Sequence, residues 1–151
     1  MRARCERGVT LIELVVSIVV VALAASAVLG VLSSSAGRSA DAMVLSQAVA
    51  IGEAYLEEIA LKSFADPDGT DGEASRAAFD DVDDYNGLVD VGARDQFGNA
   101  IPALAGYTVA VSVTGSVALT SVPAADAARV DVLVTHPPAV SLRLTGYKTR
   151  L

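Results

Sequence analysis

The chain has 151 residues, 52% of them hydrophobic, a formal charge of −7, one histidine, one cysteine and no tryptophan. An acidic balance of this size offers no electrostatic footprint for nucleic acid. One histidine and one cysteine cannot assemble the usual Cys/His zinc centre within a single subunit, and the scattered glycines form no phosphate-cradling loop.

The chain opens on a basic stretch, residues 1–8, in which Arg2, Arg4 and Arg7 outweigh Glu6. An uncharged run follows, the 19 residues Leu14–Leu32. As a helix at ~1.5 Å per residue this run reaches ~28 Å, enough to cross a hydrocarbon core. The positive-inside tendency predicts residues 1–8 in the cytoplasm and the rest carried outward. One residue conflicts with a plain membrane span: Glu13 sits at the start of the run, where an ionisable group near the bilayer centre costs at least ~2.5 kcal/mol. Two processing schemes fit. A secretory signal would be cut at the small-residue patterns ending at Ala24 or Ala27, whereas a cut after Gly8 keeps the apolar helix and frees an amine on Val9.

Gly8-Val9-Thr10-Leu11-Ile12-Glu13-Leu14-Val15-Val16 resembles the prepilin processing motif of type IV pilins and of the pseudopilins of type II secretion. The resemblance implies cleavage between Gly8 and Val9 and N-methylation of Val9 by a prepilin peptidase/methyltransferase. It makes Glu13 the fifth residue of the mature chain and its assembly residue, pairing with the Val9 amine of a neighbouring subunit. Two positions depart from the family: Val9 stands where phenylalanine is usual, and Gly30 lies near the place of a helix-loosening proline. Glycine weakens a helix interior by ~1 kcal/mol relative to alanine, so Gly30 is a helix-loosening candidate; close helix packing is the other reading. Removing the leader, three arginines and one glutamate, takes away +2 and leaves side chains summing to −9. It also removes Cys5, so the mature chain has no disulfide and no cysteine nucleophile.

After residues 9–32, the transmembrane and filament-core half of the helix, residues 33–62 are expected to continue it as an amphipathic half. Val44, Ala48, Ile51, Tyr55 and Ile59 form one apolar stripe. Glu58 and Lys62 are ordered for a helix-stabilising pair, and the breakers in Ser63–Pro67 end the helix.

Residues 63–106 form an acidic connecting region. Calcium needs several hard oxygen ligands converging from a turn, and Asp80, Asp81, Asp83, Asp84 and Asn86 have that composition without the loop spacing. The competing reading is a solvated turn whose carboxylates cap backbone amides.

Residues 107–151 read as sheet. Tyr107–Thr114, Ala128–Thr135 and Val140–Tyr147 alternate with a period of two. His136-Pro137-Pro138-Ala139 links the last two as a hairpin with a loop wider than two residues, and His136 reads as a loop residue rather than a catalytic base. The expected fold is therefore α+β, type IV pilin-like, with a long N-terminal transmembrane and spine helix packed on a small antiparallel sheet of three strands.

Residues 47–59 also resemble certain minor pilins, residues 79–88 resemble minor pilins of the mannose-sensitive haemagglutinin pilus, and residues 130–137 and 142–149 resemble the D-type minor pilin of that system. The resemblance implies a structural, non-enzymatic subunit without a cofactor. It would start in the bacterial inner membrane, with its C-terminal domain outside the cytoplasm, and then enter a filament. Implied partners are the prepilin peptidase, other pilins or pseudopilins and an inner-membrane assembly platform. A pseudopilin of type II secretion and a soluble exported binding domain behind an ordinary signal peptide are the alternatives.

Overall fold

A computed structural model describes residues 10–67, 69 and 73–150. Helix α1 covers Leu11–Ala60, and four strands follow: β1 Val89–Val91, β2 Thr108–Gly115, β3 Ala127–His136 and β4 Val140–Thr149. Short 3-10 turns lie at Arg76–Ala78, Asp83–Tyr85, Pro102–Leu104 and Ala124–Asp126. The chain divides into two compact units, Met1–Ala40 and Asp41–Leu151.

In the first unit, Leu11–Ser33 is long and apolar enough to cross a membrane. Every side chain in it is exposed, so its leucines and valines need lipid or partner helices rather than water. Two of the three serines of the span do not break that surface. Ser17 Oγ donates to Glu13 O at 2.7 Å and Ser26 Oγ to Ala22 O at 2.8 Å, so each hydroxyl is satisfied inside the helix, as hydrocarbon requires.

The second unit is a helix-on-sheet layer. The four strands form an antiparallel meander in the order β1-β2-β3-β4. Its inner face follows the predicted alternation: Val109 pairs with Val134 and that with Leu142, while Val111 pairs with Val132 and that with Leu144. Ala48, Ile51, Tyr55 and Ile59 of α1 are buried in the same core, with Val44 packed against it. Burying each such valine or isoleucine contributes ~1.5–3 kcal/mol. Gly52 lies on the sheet-facing stripe, where an added Cβ would come within 2.5 Å of Leu144 Cδ1, so a residue without a side chain lets helix and sheet approach here.

Three differences from expectation have physical causes. The sheet has four strands rather than three, because β1 lies inside the acidic connection. At three residues, with Asp90 buried and Val89 and Val91 exposed, it inverts the usual apolar-in pattern. Helix α1 stops at Ala60, just before the breakers, as Lys62 N–H bonds back to Ile59 O in a tightened last turn. Lys62 therefore leaves the helix, donates its ammonium to Phe79 O, and does not pair with Glu58. The β3–β4 link is wider than a two-residue turn, as expected: His136 pairs with Val140 across Pro137, Pro138 and Ala139.

Candidate functional site

Two places collect the residues singled out by sequence. The first is the start of α1. Gly8 and Val9, like Cys5, lie outside the described residues, whereas Thr10 and Glu13 are seen. Thr10 Oγ1 accepts the Glu13 N–H at 3.3 Å, and Thr10 O accepts the Leu14 N–H at 3.1 Å. Thr10 thus caps the helix, and Glu13 occupies the position of the acid in a capping box. A carboxylate in a helix's first turn is favoured by the macrodipole by ~0.3–1 kcal/mol at exposed sites. The Thr-x-x-Glu spacing before an apolar run was readable in the sequence as a helix start, although the membrane cost of Glu13 overshadowed it. Glu13 is exposed in this chain, so its side chain is open to another molecule. Gly30 lies within α1, with nothing within 4 Å of an added Cβ.

The second place is the acidic connection. Several of its carboxylates hold the backbone. Asp84 Oδ2 accepts the N–H groups of Asp80 and Asp81 at 2.9 and 3.2 Å, and Asp81 Oδ1 accepts those of Asp83 and Asp84 at 2.7 and 3.1 Å. Asn86 Oδ1 accepts the Val113 N–H at 3.0 Å, tying the connection to β2. Of the five calcium candidates, only Asp80 and Asp84 come together, and the third carboxylate beside them is Glu73. Oxygens of these three lie within 4.8 Å of one another. Three such oxygens fall short of the six to eight that calcium takes. Instead the carboxyls interact directly: hydrogen bonding to Asp84 raises the pKa of Glu73 above its ordinary value. For Asp84, burial opposes ionisation, but the Glu73 hydrogen bond and the two backbone amides prevail and lower its pKa.

A buried arginine fastens this connection to the helix and the sheet. Arg76, 6% exposed, donates Nη2 to Glu58 Oε2 at 2.7 Å, Nε to Glu58 Oε1 at 3.0 Å and Nη1 to Asp90 Oδ2 at 2.6 Å. Its guanidinium carbon lies 4.2 Å from the centre of the Tyr55 ring. Tyr85 OH donates to Glu58 Oε1 at 2.8 Å, and Tyr55 OH donates to Asp90 Oδ2 at 2.7 Å while accepting the Arg94 N–H at 3.0 Å. Burial alone would lower the Arg76 pKa, but the bond to Glu58 overrides it and the pKa rises. Burial and then the Glu58 bond push Tyr85 up. Sequence reading missed Arg76 and Asp90. The available signal was that Arg76 is the only base between Lys62 and Arg94, in a segment where acids need a partner.

His136 closes β3 with its ring 4.7 Å from that of Tyr107, a packing position without an acid beside it among the described residues.

Residues 3–35 match the family described as the prokaryotic N-terminal methylation motif. No curated protein and no solved structure matches the chain. The motif, joined to an apolar N-terminal helix and a small antiparallel four-stranded sheet, indicates a subunit of type IV pilin or pseudopilin type. It implies processing by a prepilin peptidase and assembly with other pilins, and it is consistent with a membrane-anchored chain. Proteins of this class are generally structural rather than enzymatic.

Proposed function

We propose that this chain is a minor pilin, an assembly subunit of a type IV pilus, cut between Gly8 and Val9 and methylated on Val9. The observation that carries the reading is the methylation-motif match over residues 3–35 with Glu13 five residues into the proposed mature chain. In the membrane the helix waits with its apolar surface in lipid. An assembly platform then moves it into a bundle of neighbouring helices. There Glu13 meets the Val9 amine of an adjacent subunit, and since an unpaired buried charge costs several kcal/mol, the pair sets axial register. Gly30 either loosens the helix or admits a close neighbour.

The assignment to a minor subunit is supported by the resemblance of residues 47–59, and the mannose-sensitive haemagglutinin type by that of residues 79–88, 130–137 and 142–149. Mass spectrometry of the mature protein tests the processing: a methylated N-terminus at Val9 is expected, and a start after Ala24 or Ala27 would overturn it. Immunodetection in sheared filaments tests the rank, with the chain expected at a small fraction of the main subunit. Recovery only in a secretion apparatus would instead assign it as a pseudopilin.

A further inference from the structure

We propose that the open edge of β4 receives one extended strand of a different protein, apolar at alternate residues and acidic at those between. This goes beyond the filament reading and uses the folded domain alone.

Strand β4 ends the sheet, with β3 on one side of it. Its ten residues span ~33 Å at ~3.3 Å per residue, whereas the opposite edge strand, β1, has three. The direction of each backbone group follows from the register. Arg150 N–H donates to Asp126 O at 2.9 Å, in step with the pairing of Ala127 with Thr149. In an antiparallel ladder such bonded residues alternate with residues that turn both backbone groups the other way. The even-numbered residues of β4 therefore bond to β3, and Ser141, Arg143, Thr145 and Tyr147 turn N–H and C=O to the open edge. The alternation is the same across the sheet, where the odd-numbered Val111 N–H bonds to Leu88 O on the β1 side. Among the described residues no loop or helix backbone bonds to those four, and a row of unmet backbone groups is a template for strand addition.

Helix α1 gives an added strand its floor. Leu45, Val49, Gly52, Leu56 and Ala60 form a second apolar stripe, one residue on from the buried one. The stripe runs along β4: a Cβ added to Gly52 would meet Leu144 Cδ1 at 2.5 Å, one added to Gly146 would meet Leu56 Cδ2 at 3.2 Å, and Lys148 Nζ donates to Ala60 O at 2.7 Å. This seam is only half closed. Val49, Leu56, Leu142 and Leu144 are half-buried, and Leu45 is 47% exposed. Beside Leu56 lies a largely apolar depression of about 230 Å³ that reaches Ile59, Val130 and Gly146, with Glu57 and Lys148 its charged members. Side chains of a strand alternate between its faces, so every second residue of a fifth strand rests on this seam, where an apolar group closes it.

The intervening residues lie beside Ser141, Arg143, Thr145 and Tyr147, and charge selects acids for them. Residues 140–150 hold Arg143, Lys148 and Arg150 and no acid, in a chain of net charge −7. Lys148 is committed to Ala60 O, and Arg150 lies 3.8 Å from Asp126. Arg143 is exposed and, among the described residues, has no hydrogen bond or ion pair. An acid beside Arg143 completes a cross-strand pair. The same bases bar a second copy of this chain, because β4 laid against β4 sets like charges side by side with no acid to offset them.

The test uses the full-length chain in the cells that make it, with p-benzoylphenylalanine replacing Tyr147 as the photoreactive probe. Irradiation is expected to give one adduct with a different protein, and peptide mapping should place the link in a segment that alternates apolar and acidic residues. Thr145→Pro removes one outward N–H that no β3 bond uses, a change edge strands tolerate. The adduct should then fall about tenfold, the consequence of one hydrogen bond left unmade in a desolvated contact. Thr145→Val, which loses the hydroxyl bonded to Asp131 but keeps the amide, should leave the adduct unchanged. Arg143→Glu should cut it about tenfold, and Arg143→Lys should retain it. Protease resistance of the domain checks folding, and Ser141→Pro repeats the amide test should Thr145→Pro lose that resistance. Absence of an adduct, equal adducts with and without the outward amide, linkage to another copy of this chain, or a mapped segment lacking acids would overturn the strand contact.

Discussion

Arg76 holds two carboxylates, Glu58 and Asp90, in a place where its own side chain is 4% exposed. Such a group is costly to bring out of water, and removing it leaves Glu58 without its cation and Asp90 with only Arg94 at 3.3 Å. Arg76→Ala is therefore expected to destabilise the domain by ~3–5 kcal/mol in chemical denaturation; a loss below about 1 kcal/mol, the size of an exposed pair, would show that the network is solvated. The Glu73–Asp84 pair makes a different prediction, of pH. Glu73 has a folded pKa raised above 4.5, so its contribution is present below that value and is lost as pH rises through the raised pKa. Asp84 has a folded pKa lowered below 3.8, so its contribution is present above that value and is lost as pH falls through the lowered pKa. Carboxyl NMR titration should thus find Glu73 the last of the two to ionise, and Asp84→Ala should return Glu73 toward its ordinary range. Unchanged titration of Glu73 in that variant would remove the shared hydrogen bond from the account.

At the scale of elements, the turn Asp95–Asn99 shows how one carboxylate can order a loop. Asp95 gathers the amides of Phe97 and Asn99 and the side-chain amide of Asn99 at 2.9 Å, and the Asn99 bonds followed by the Phe97 amide lower its pKa. That order is present above the ordinary value of 3.8 and is lost as pH falls through the lowered pKa. Asp95→Ala should accordingly speed hydrogen exchange at Phe97 and Asn99 while leaving β2–β4 amides unchanged; equal acceleration across the sheet would mean that the turn is part of the global fold. The stripe from Val44 to Ile59 and the three long strands were legible because each writes a regular period over eight or more residues. Strand β1 was not, since its buried residue is an acid whose partners, Arg76 and Tyr55, are distant in sequence. The same distance hid the Arg76 network, and it separates the sequence grouping from the spatial one: Asp80 to Asn86 are neighbours in sequence, whereas the fold turns Asp81 and Asn86 onto backbone amides and brings Glu73 to Asp80 and Asp84.

At the scale of the whole molecule, a folded domain with its own core follows an apolar helix whose side chains over Leu11–Ser33 are all exposed. The domain is held by its packed core and the polar network around Arg76, since a single cysteine can form no internal disulfide. The helix has no such internal solution: Ser17 and Ser26 are satisfied within the span, but its leucines and valines need lipid or other helices, and the Glu13 carboxylate needs a cation once water is gone. If that cation is the Val9 amine of a neighbour, Glu13→Ala should still be cut after Gly8, because the membrane stage does not use the pair. Entry into filaments should fall more than about tenfold, the consequence of leaving a buried amine unpaired at a cost of several kcal/mol. Quantitative mass spectrometry of membrane and sheared-filament fractions separates the two stages. Wild-type incorporation of Glu13→Ala would reduce Glu13 to the helix-capping role that Thr10 already supports, and the axial register of the assembly would have to come from the folded domains instead.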